Sequence, residues 1–295
     1  MHSYLKSIGF ERIKCQSDVE QLLLFVVKHT QEEYRAELNE DILYGEFVLE
    51  VAEGIGIVVC GEYDKSGHFS VVHYFPYCKG RQISTDELVY VHKRVETNAF
   101  SAMCDDYRFG ISLIFYLQNA VDYLKQKEKR KREPYTIYLS GLARDGKILL
   151  PTLKTEKQLA EKLTENIQRT KLIAEAREGN QEAIECLTME DMDQYALVNR
   201  RIRKEDVYSI VDTSLVPYGS ESDNYTVLGM INEVELIENA LTKEEVYRLN
   251  LNCNGMDLDI CINKKDLLGE PQKGRRFRGV VWLQGRVDFN RLTTP

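Results

Sequence analysis

The sequence has little of what marks disordered, fibrous or low-complexity chains. Only 6 of its 295 residues are proline and 18 are glycine, and no segment is of low complexity. Apolar residues make up 43% and charged residues 29%, which is an ordinary composition for a folded protein. The length exceeds that of a typical single core, so more than one domain is expected.

The sequence also lacks the marks of secretion and membrane insertion. Its first residues have neither the apolar core nor the cleavage site of a signal peptide, and no run approaches the roughly 18 apolar residues of a membrane helix. The seven cysteines include no CxxC pair, and several lie in apolar runs such as IVVCG and LDICI. Such a pattern is typical of reduced, buried thiols. We therefore expect a cytoplasmic protein without membrane contact.

Positive charge is in short supply. The chain has 39 Lys and Arg residues against 47 Asp and Glu residues, which gives a formal net charge of −8. Sequence-independent affinity for nucleic acid comes from Lys and Arg that neutralise phosphates, so nucleic acid is a disfavoured partner. Two local basic stretches remain, KQKEKRKR at 125–132 and GRRFRGVVWLQGRVDF at 274–289. Charge runs like the first are usually solvated helix ends.

Signatures of catalysis and metal binding are missing as well. No Walker A or HExxH string occurs, and the glycines of GIGIVVCG (54–61) do not have the GxGxxG spacing. The nearest set of metal ligands is Cys60, His68, His73 and Cys78. His68 and His73 are five positions apart on one predicted strand, and an odd spacing directs their side chains to opposite faces. We expect no metal site and no cofactor.

A cysteine–histidine active site has equally weak support. All five histidines lie at or before His92, so such a site would belong to the first half of the chain. His92 with Cys104 is the nearest candidate dyad, and no spacing supports it. A cleft that united these two residues with His73 and Asp106 would favour an enzyme.

The apolar pattern predicts an α+β domain over residues 1–150. A first helix is predicted from a capping box of Ser17 and Glu20, and short β-rich runs follow as an antiparallel meander. A second helix begins near Asn119, and a last hairpin turns at Asp145–Gly146. We expect an antiparallel sheet with helices in this segment.

Residues 151–205 are predicted to form a helical connector. A capping box at Thr155 begins one helix, which ends at Gly179, and Asn180 and Thr188 cap two more. The apolar faces of these helices need cover from another part of the protein.

Residues 206–295 return to strands. Asn254–Gly255 is the dipeptide of a two-residue type I′ hairpin, because both central residues need positive φ. If Cys253 pairs with Met256, every pair on one face of the hairpin is apolar. The opposite face, which we predict to be exposed to water, carries Arg248, Asn250, Asn252, Asp257 and Asp259. About five strands in so short a segment predict a small five-stranded β-barrel, OB-like or SH3-like.

The only tryptophan lies in the last predicted strand. Alternation along this strand predicts that one face is core: Phe277, Val281, Leu283, Val287 and Phe289. The other face carries Arg278, Trp282, Gln284 and Arg286, and we predict that these four residues form an interaction surface. Trp282 is then buried against the connector or a second chain, and the alternatives are a stacking platform or core restored by a bulge at a flanking glycine.

Several long strings resemble a known family. They are YLKSIGF, LIFYLQN, LSGLARDGKILLP, EDVYSIVDTSLVPYGSESDNYTVLGMI and CNGMDLDICINKKDLLGEPQKGRRFRGVVWLQG. They resemble an uncharacterised domain-of-unknown-function family of cytoplasmic proteins from anaerobic gut Firmicutes, over the whole chain. The resemblance implies a bacterial cytoplasmic setting and brings no activity, cofactor or catalytic residue.

These observations favour a non-enzymatic binding or protein-interaction module, with a protein partner or self-association. One alternative is an enzyme with a cleft in the N-terminal domain. The other is weak oligonucleotide binding by the C-terminal barrel, which would depend strongly on salt because arginines displace counterions from phosphates.

Overall fold

The strands of the protein are concentrated in one of two units. A computed structural model describes residues 3–40, 42–94, 99–106, 108–126, 133–151, 168, 171–176, 179–202, 211–220 and 222–292, with backbone alone at 191, 193–202 and 290–292. The first unit comprises Met1–Leu149 with Thr213–Pro295, and the second comprises Leu150–Asp212. The segments predicted as separate outer domains, 1–150 and 206–295, therefore belong largely to one unit.

Four antiparallel strands pair in chain order to form the first sheet: β1 (Glu32–Asn39), β2 (Ile42–Ala52), β3 (Ile55–Tyr63) and β4 (Phe69–Cys78). Gly54, at φ 65°, turns the chain between β2 and β3. The Asp64 carboxylate supports the next turn by accepting the backbone N–H of His68 at 2.9 Å. The predicted meander is confirmed for β2 to β4. The pattern does not predict β1, because its polar residues directly follow the first helix.

Helix α1 (Gln16–Lys28) precedes this sheet. Its N-cap is Cys15, and the Asp18 carboxylate accepts the backbone N–H of Cys15 at 3.1 Å. The capping box predicted at Ser17 and Glu20 is therefore wrong, because the observed box of Cys15 and Asp18 begins two residues earlier. An acidic residue at the third helical position satisfies a backbone donor that the helix leaves open, and Asp18 holds that position here. Three of its side chains are buried: Val19, Leu22 and Val26.

The remaining strands form one large sheet: β5 (Thr85–Glu87), β6 (Tyr90–Lys93), β7 (Phe100–Asp106), β8 (Ile111–Leu117), β9 (Tyr135–Leu149), β10 (Ser214–Pro217), β11 (Asn224–Glu238), β12 (Glu245–Cys253), β13 (Met256–Asn263), β14 (Leu267–Leu268) and β15 (Arg276–Leu292). Helix α2 (Ala120–Lys125) follows β8, which confirms the helix predicted near Asn119.

Strand β9 replaces the hairpin predicted at Asp145–Gly146. It pairs with β15 on both sides of this position, from Tyr135 to Leu149. Between the pairs Ala143–Val281 and Gly146–Gly279 the register shifts, since two residues of β9 oppose one residue of β15. The turn-like dipeptide is therefore part of a β-bulge within one long strand.

Five strands pair in a closed circuit. β11 pairs with β12, β12 with β13, β13 with β9, β9 with β15, and β15 again with β11. Four of these strands come from the C-terminal segment, whereas β9 comes from the N-terminal one. This sharing of strands is the physical reason that the two segments form one unit. The predicted core face of β15 is buried: Phe277, Val281, Leu283, Val287 and Phe289.

The hairpin of β12 and β13 has the predicted register. Cys253 lies opposite Met256, and Asn254 and Gly255 have φ values of 50° and 83°. Part of the polar face of this hairpin is buried, so the prediction that this face is exposed to water is wrong there. One covering contact is the Arg81 backbone N–H, which donates to Asp259 Oδ2 at 2.7 Å. Three residues of this face are at most 5% exposed: Arg248, Asn250 and Asp259.

Most of the described residues of the second unit are helical. Residues 171–176 are helical, and helix α3 (Gln181–Ile202) follows. Gly179, at φ 89°, lies between them as predicted, and Asn180 Oδ1 accepts a backbone N–H of the first turn of α3 at 3.0 Å. Thr188 is not a cap, because its hydroxyl donates to the Ile184 carbonyl at 2.8 Å inside α3.

Two sequence features lie outside the described residues. These are the capping box at Thr155 and the part of the basic stretch that spans 127–132. Among the helices that the structure does describe, none has the length and apolar character needed to cross a membrane.

Candidate functional site

A cavity of about 180 Å³ is lined by residues of the first sheet, of helix α2 and of β15. Pockets for drug-sized ligands begin at roughly 300 Å³, so this cavity suits a smaller molecule. Its walls combine apolar, charged and amide side chains, as ligand sites commonly do. The apolar part consists of Val48, Val58, Phe75 and Val121.

Glu46 is the unusual residue of this wall. It lies in β2, which has a strand on each side, and is only 4% exposed. Burial raises the pKa of Glu46 to about 8, and the negative charge of Asp122 adds to the rise, whereas a hydrogen bond from Tyr44 and the charge of Lys125 oppose it. Its Oε1 atom is buried without a hydrogen-bond partner in the described part of the chain. At neutral pH the carboxyl is therefore mostly protonated and has an unused oxygen at the cavity.

The other carboxylates of the wall bond to neutral donors. Asp122 accepts a hydrogen bond from Asn119 Nδ2 at 3.0 Å, and Glu32 accepts one from the Tyr34 hydroxyl. The bond to Glu32 is the main cause that raises the pKa of Tyr34 to about 12. Neither carboxylate forms an ion pair with a cation among the described residues.

Two cations complete the wall. Lys79 Nζ pairs with Glu50 Oε1 at 2.6 Å, so its charge is already matched. Arg286 is exposed, and its positive charge acts on Tyr34, since it lowers the pKa of that phenol. Within the residues that the structure describes, Arg286 has no ion pair. Its guanidinium is the cation available to a ligand.

Two glutamines tie the wall together. Gln118 Nε2 donates to Gln284 Oε1 at 2.9 Å and to the Cys78 carbonyl at 2.8 Å. Gln284 Nε2 donates in turn to the Pro76 carbonyl at 2.8 Å. These bonds connect the end of β4, the residue after β8, and β15. Gln284, predicted as part of an interaction surface, is fully buried and has a structural role.

Trp282 is 5% exposed, so the expected burial is observed, but its surroundings differ from those predicted. The indole stacks on Tyr4 with ring centroids 5.5 Å apart and meets Tyr116 edge-on at 5.1 Å. Its Nε1 donates to Asp223 Oδ2 at 2.9 Å. The N-terminal residues and β8 cover this face of β15 because they share a unit with it. A bulge does not turn the indole, since the extra residue of the nearby bulge lies in β9.

The two arginines of the predicted surface have different positions. Arg278 is half-buried and is not part of the cavity wall, whereas Arg286 is exposed and lines the cavity. Of the four residues predicted from the strand pattern, Arg286 is the one that the structure brings to the candidate site.

The residues considered for an active site do not line this cavity. His92 lies opposite Ser101 in the pairing of β6 with β7, so these two side chains share one face of the sheet. Cys104 lies three residues further along β7, an odd spacing, and therefore points to the opposite face. Asp106 is buried and forms an ion pair with Arg108 at 2.5 Å. His92 and Cys104 therefore do not form the candidate dyad, which no spacing in the sequence supported.

The structure also does not bring together all four residues considered as metal ligands. His73 lies opposite Cys60 in the pairing of β3 with β4, and His68 is exposed in the preceding turn. Cys78 instead contacts the Cys261 thiol, with 2.8 Å between the sulfur atoms. Among the described residues no group of three or more His, Cys, Asp and Glu side chains is placed to hold a metal ion.

The sequence contains a signal for Glu46. Glu46 is the only charged residue in LYGEFVL, a run that reads as a buried strand. A carboxyl in such a run must be buried at a cost, unless function or a partner retains it.

The fold and the site together define a β-rich protein with a small polar cavity and a buried carboxyl in its wall. The chain belongs to the DUF3881 family, whose model, described as "Domain of unknown function, E. rectale Gene description", matches residues 5–285. The resemblance to a family of unknown function is thereby confirmed. No curated protein and no solved structure shows a significant match to the chain.

Proposed function

We propose that this protein is a binding module that holds a small polar ligand in the cavity at Glu46. The observation that carries the proposal is that Glu46 lines the cavity and that its buried Oε1 atom lacks a partner among the described residues. An unsatisfied buried polar atom costs about 1 to 3 kcal/mol. A ligand that supplied the missing hydrogen bond would recover that free energy on binding.

The surroundings of Glu46 support the same proposal. Gln118 and Gln284 fix the wall through buried hydrogen bonds, so the cavity has a rigid frame. We further propose that the five-strand circuit is a small barrel that stiffens this frame, a hypothesis supported by the return of the pairing to β11. Seven free cysteines, five of them buried, support the proposal of a reducing, cytoplasmic setting.

A screen of small metabolites by thermal shift tests the proposal. A ligand at a hundredfold excess over its Kd adds about 2.7 kcal/mol to the free energy of unfolding, which raises Tm by several degrees. We expect such compounds to raise the Tm of the native protein and to lose most of this effect in Glu46→Leu, which removes both carboxyl oxygens. The matched control is Glu37→Leu, the same substitution at an exposed position on β1 outside the wall. Equal shifts in all three proteins would overturn the proposal.

The raised pKa of Glu46 favours a second candidate function, an enzyme that uses this carboxyl as a general acid. A carboxyl with a pKa of about 8 holds a proton at neutral pH and can donate it to a bound substrate. Mass spectrometry of each ligand after long incubation separates the two functions. Conversion that depends on Glu46 supports the enzyme, and recovery of unchanged ligand supports the binding module.

A further inference from the structure

The charges of the cavity wall restrict the ligand further. Glu32 and Asp122 contribute two negative charges and Arg286 one positive charge, whereas the charge of Lys79 is matched by Glu50 and Glu46 is mostly neutral. A ligand that carries both a cationic and an anionic group can pair with charges of both signs in this wall.

The charged groups available to a ligand line the same small cavity. Lys79 is occupied by Glu50, which leaves Arg286 as the cation of the described wall for an anionic group. Because the cavity measures only about 180 Å³, a ligand that meets both Asp122 and Arg286 must carry its own opposite charges close together.

From this arrangement we propose that the ligand is a free α-amino acid with an apolar side chain, an inference that depends on the binding function proposed above. Its ammonium group donates to Glu46 Oε1 and is attracted by Asp122. Its carboxylate binds the Arg286 guanidinium, whose planar shape matches a carboxylate in bidentate geometry.

Two further features favour this class of ligand. The wall contains Val48, Val58, Phe75 and Val121, which offer an apolar side chain a surface to cover. A phosphate in place of the carboxylate would carry up to two negative charges and would be repelled by Glu32 and Asp122. A monoanionic carboxylate meets less repulsion.

The test uses the full chain and three probes of similar size that differ in their charged groups: L-leucine, 4-methylpentanoate, which lacks the ammonium, and L-leucinamide, in which a neutral amide replaces the carboxylate. Calorimetry or NMR titration measures each Kd. We expect both derivatives to bind about tenfold more weakly than the zwitterion or worse, a difference of one decade in Kd. Equal binding of either derivative would overturn the inference, because the group removed would then contribute nothing. Inorganic phosphate is expected not to compete, and competition would likewise overturn it.

Variants assign the contacts. Arg286→Gln should weaken L-leucine binding about tenfold but leave L-leucinamide binding unchanged, since only the zwitterion uses the guanidinium. The matched control, Arg278→Gln, changes an arginine of the same strand outside the wall and should alter neither Kd. Similar losses in both arginine variants would contradict the assigned contact.

The outcome also separates this inference from the function on which it depends. If none of the standard amino acids binds, while other metabolites give shifts that depend on Glu46, the amino-acid inference fails and the binding function stands. If no metabolite gives such a shift, both fail.

Discussion

Asp223 and Glu46 are buried to the same extent, each 4% exposed, yet their surroundings are opposite. Asp223 Oδ2 accepts hydrogen bonds from Trp282 Nε1 and from the Arg94 guanidinium. Glu46 has an oxygen without a partner in the described chain and lines a cavity. Burial alone therefore does not identify a ligand site, because a buried carboxyl with complete hydrogen-bond partners supports the fold. An incomplete set of partners beside a cavity points to a ligand.

The largest expected effect concerns Trp282, which donates a hydrogen bond to the fully paired Asp223. Trp282→Ala removes an indole packed against Tyr4 and Tyr116 and should lower the free energy of unfolding of the first unit by about 3 to 5 kcal/mol. Urea denaturation measures the change. Trp282→Phe, the control, keeps an aromatic ring and should cost less. If Trp282→Ala instead increased proteolysis at 155–204 and left the unfolding midpoint unchanged, this prediction would be contradicted. The result would favour the contact between Trp282 and the connector that the sequence predicted.

Asp223→Ala should have the next largest effect. It leaves the indole N–H and the Arg94 guanidinium without their shared acceptor, which should cost about 1 to 3 kcal/mol. Asp223→Asn keeps an acceptor for Trp282 and should cost less, since Arg94 is partly exposed and its ion pair is weakened by solvent. Chemical denaturation of both variants provides the measurement. Equal losses in the two would mean that the indole hydrogen bond contributes nothing.

Glu46→Gln should act through pH. The folded protein holds the Glu46 proton up to a pKa of about 8, whereas the unfolded chain releases it near 4.5. The free energy of unfolding therefore contains a contribution that is complete below pH 4.5 and is lost as the pH rises through about 8. Glutamine has no such proton. As the pH rises from 4.5 to about 8, we expect the Tm of Glu46→Gln to increase relative to that of the native protein. The Tm of the exposed control Glu37→Gln should differ from that of the native protein by a constant amount. A constant difference for Glu46→Gln as well would contradict the raised pKa.

Arg286→Gln should have the smallest effect on stability. The side chain is exposed and has no ion pair among the described residues, so the free energy of unfolding should change by no more than about 0.5 kcal/mol. The unfolding midpoint of the purified variant checks this value. A larger loss would show that Arg286 supports the fold, and its role in the cavity would need another explanation.

Local structure was predictable where local chemistry decides it. The positive φ values required at Asn254 and Gly255 specify the hairpin, and alternation specifies the buried face of β15. The cap at Asn180 follows from the side chain itself. In each case the deciding interaction lies within a few residues of the chain.

Long-range structure was not predictable in this way. The pairing of β9 with β13 and β15 joins segments more than a hundred residues apart, and no local pattern reports such a partner. The same pairing turns Asp145–Gly146 from a hairpin turn into a bulge. It also brings Tyr4 and Tyr116 onto Trp282, and Arg286 to the cavity.

Measurement of the Glu46 pKa is the most direct test of the proposed ligand site at this buried carboxyl. A ¹³C NMR titration of the glutamate carboxyl carbons, with the Glu46 signal assigned by its loss in Glu46→Gln, follows this group alone. We expect a titration midpoint near 8 in the ligand-free protein. A midpoint near the ordinary carboxyl value of 4.5 would contradict it, because Glu46 would then be a solvated or paired carboxylate without an unmet hydrogen bond for a ligand.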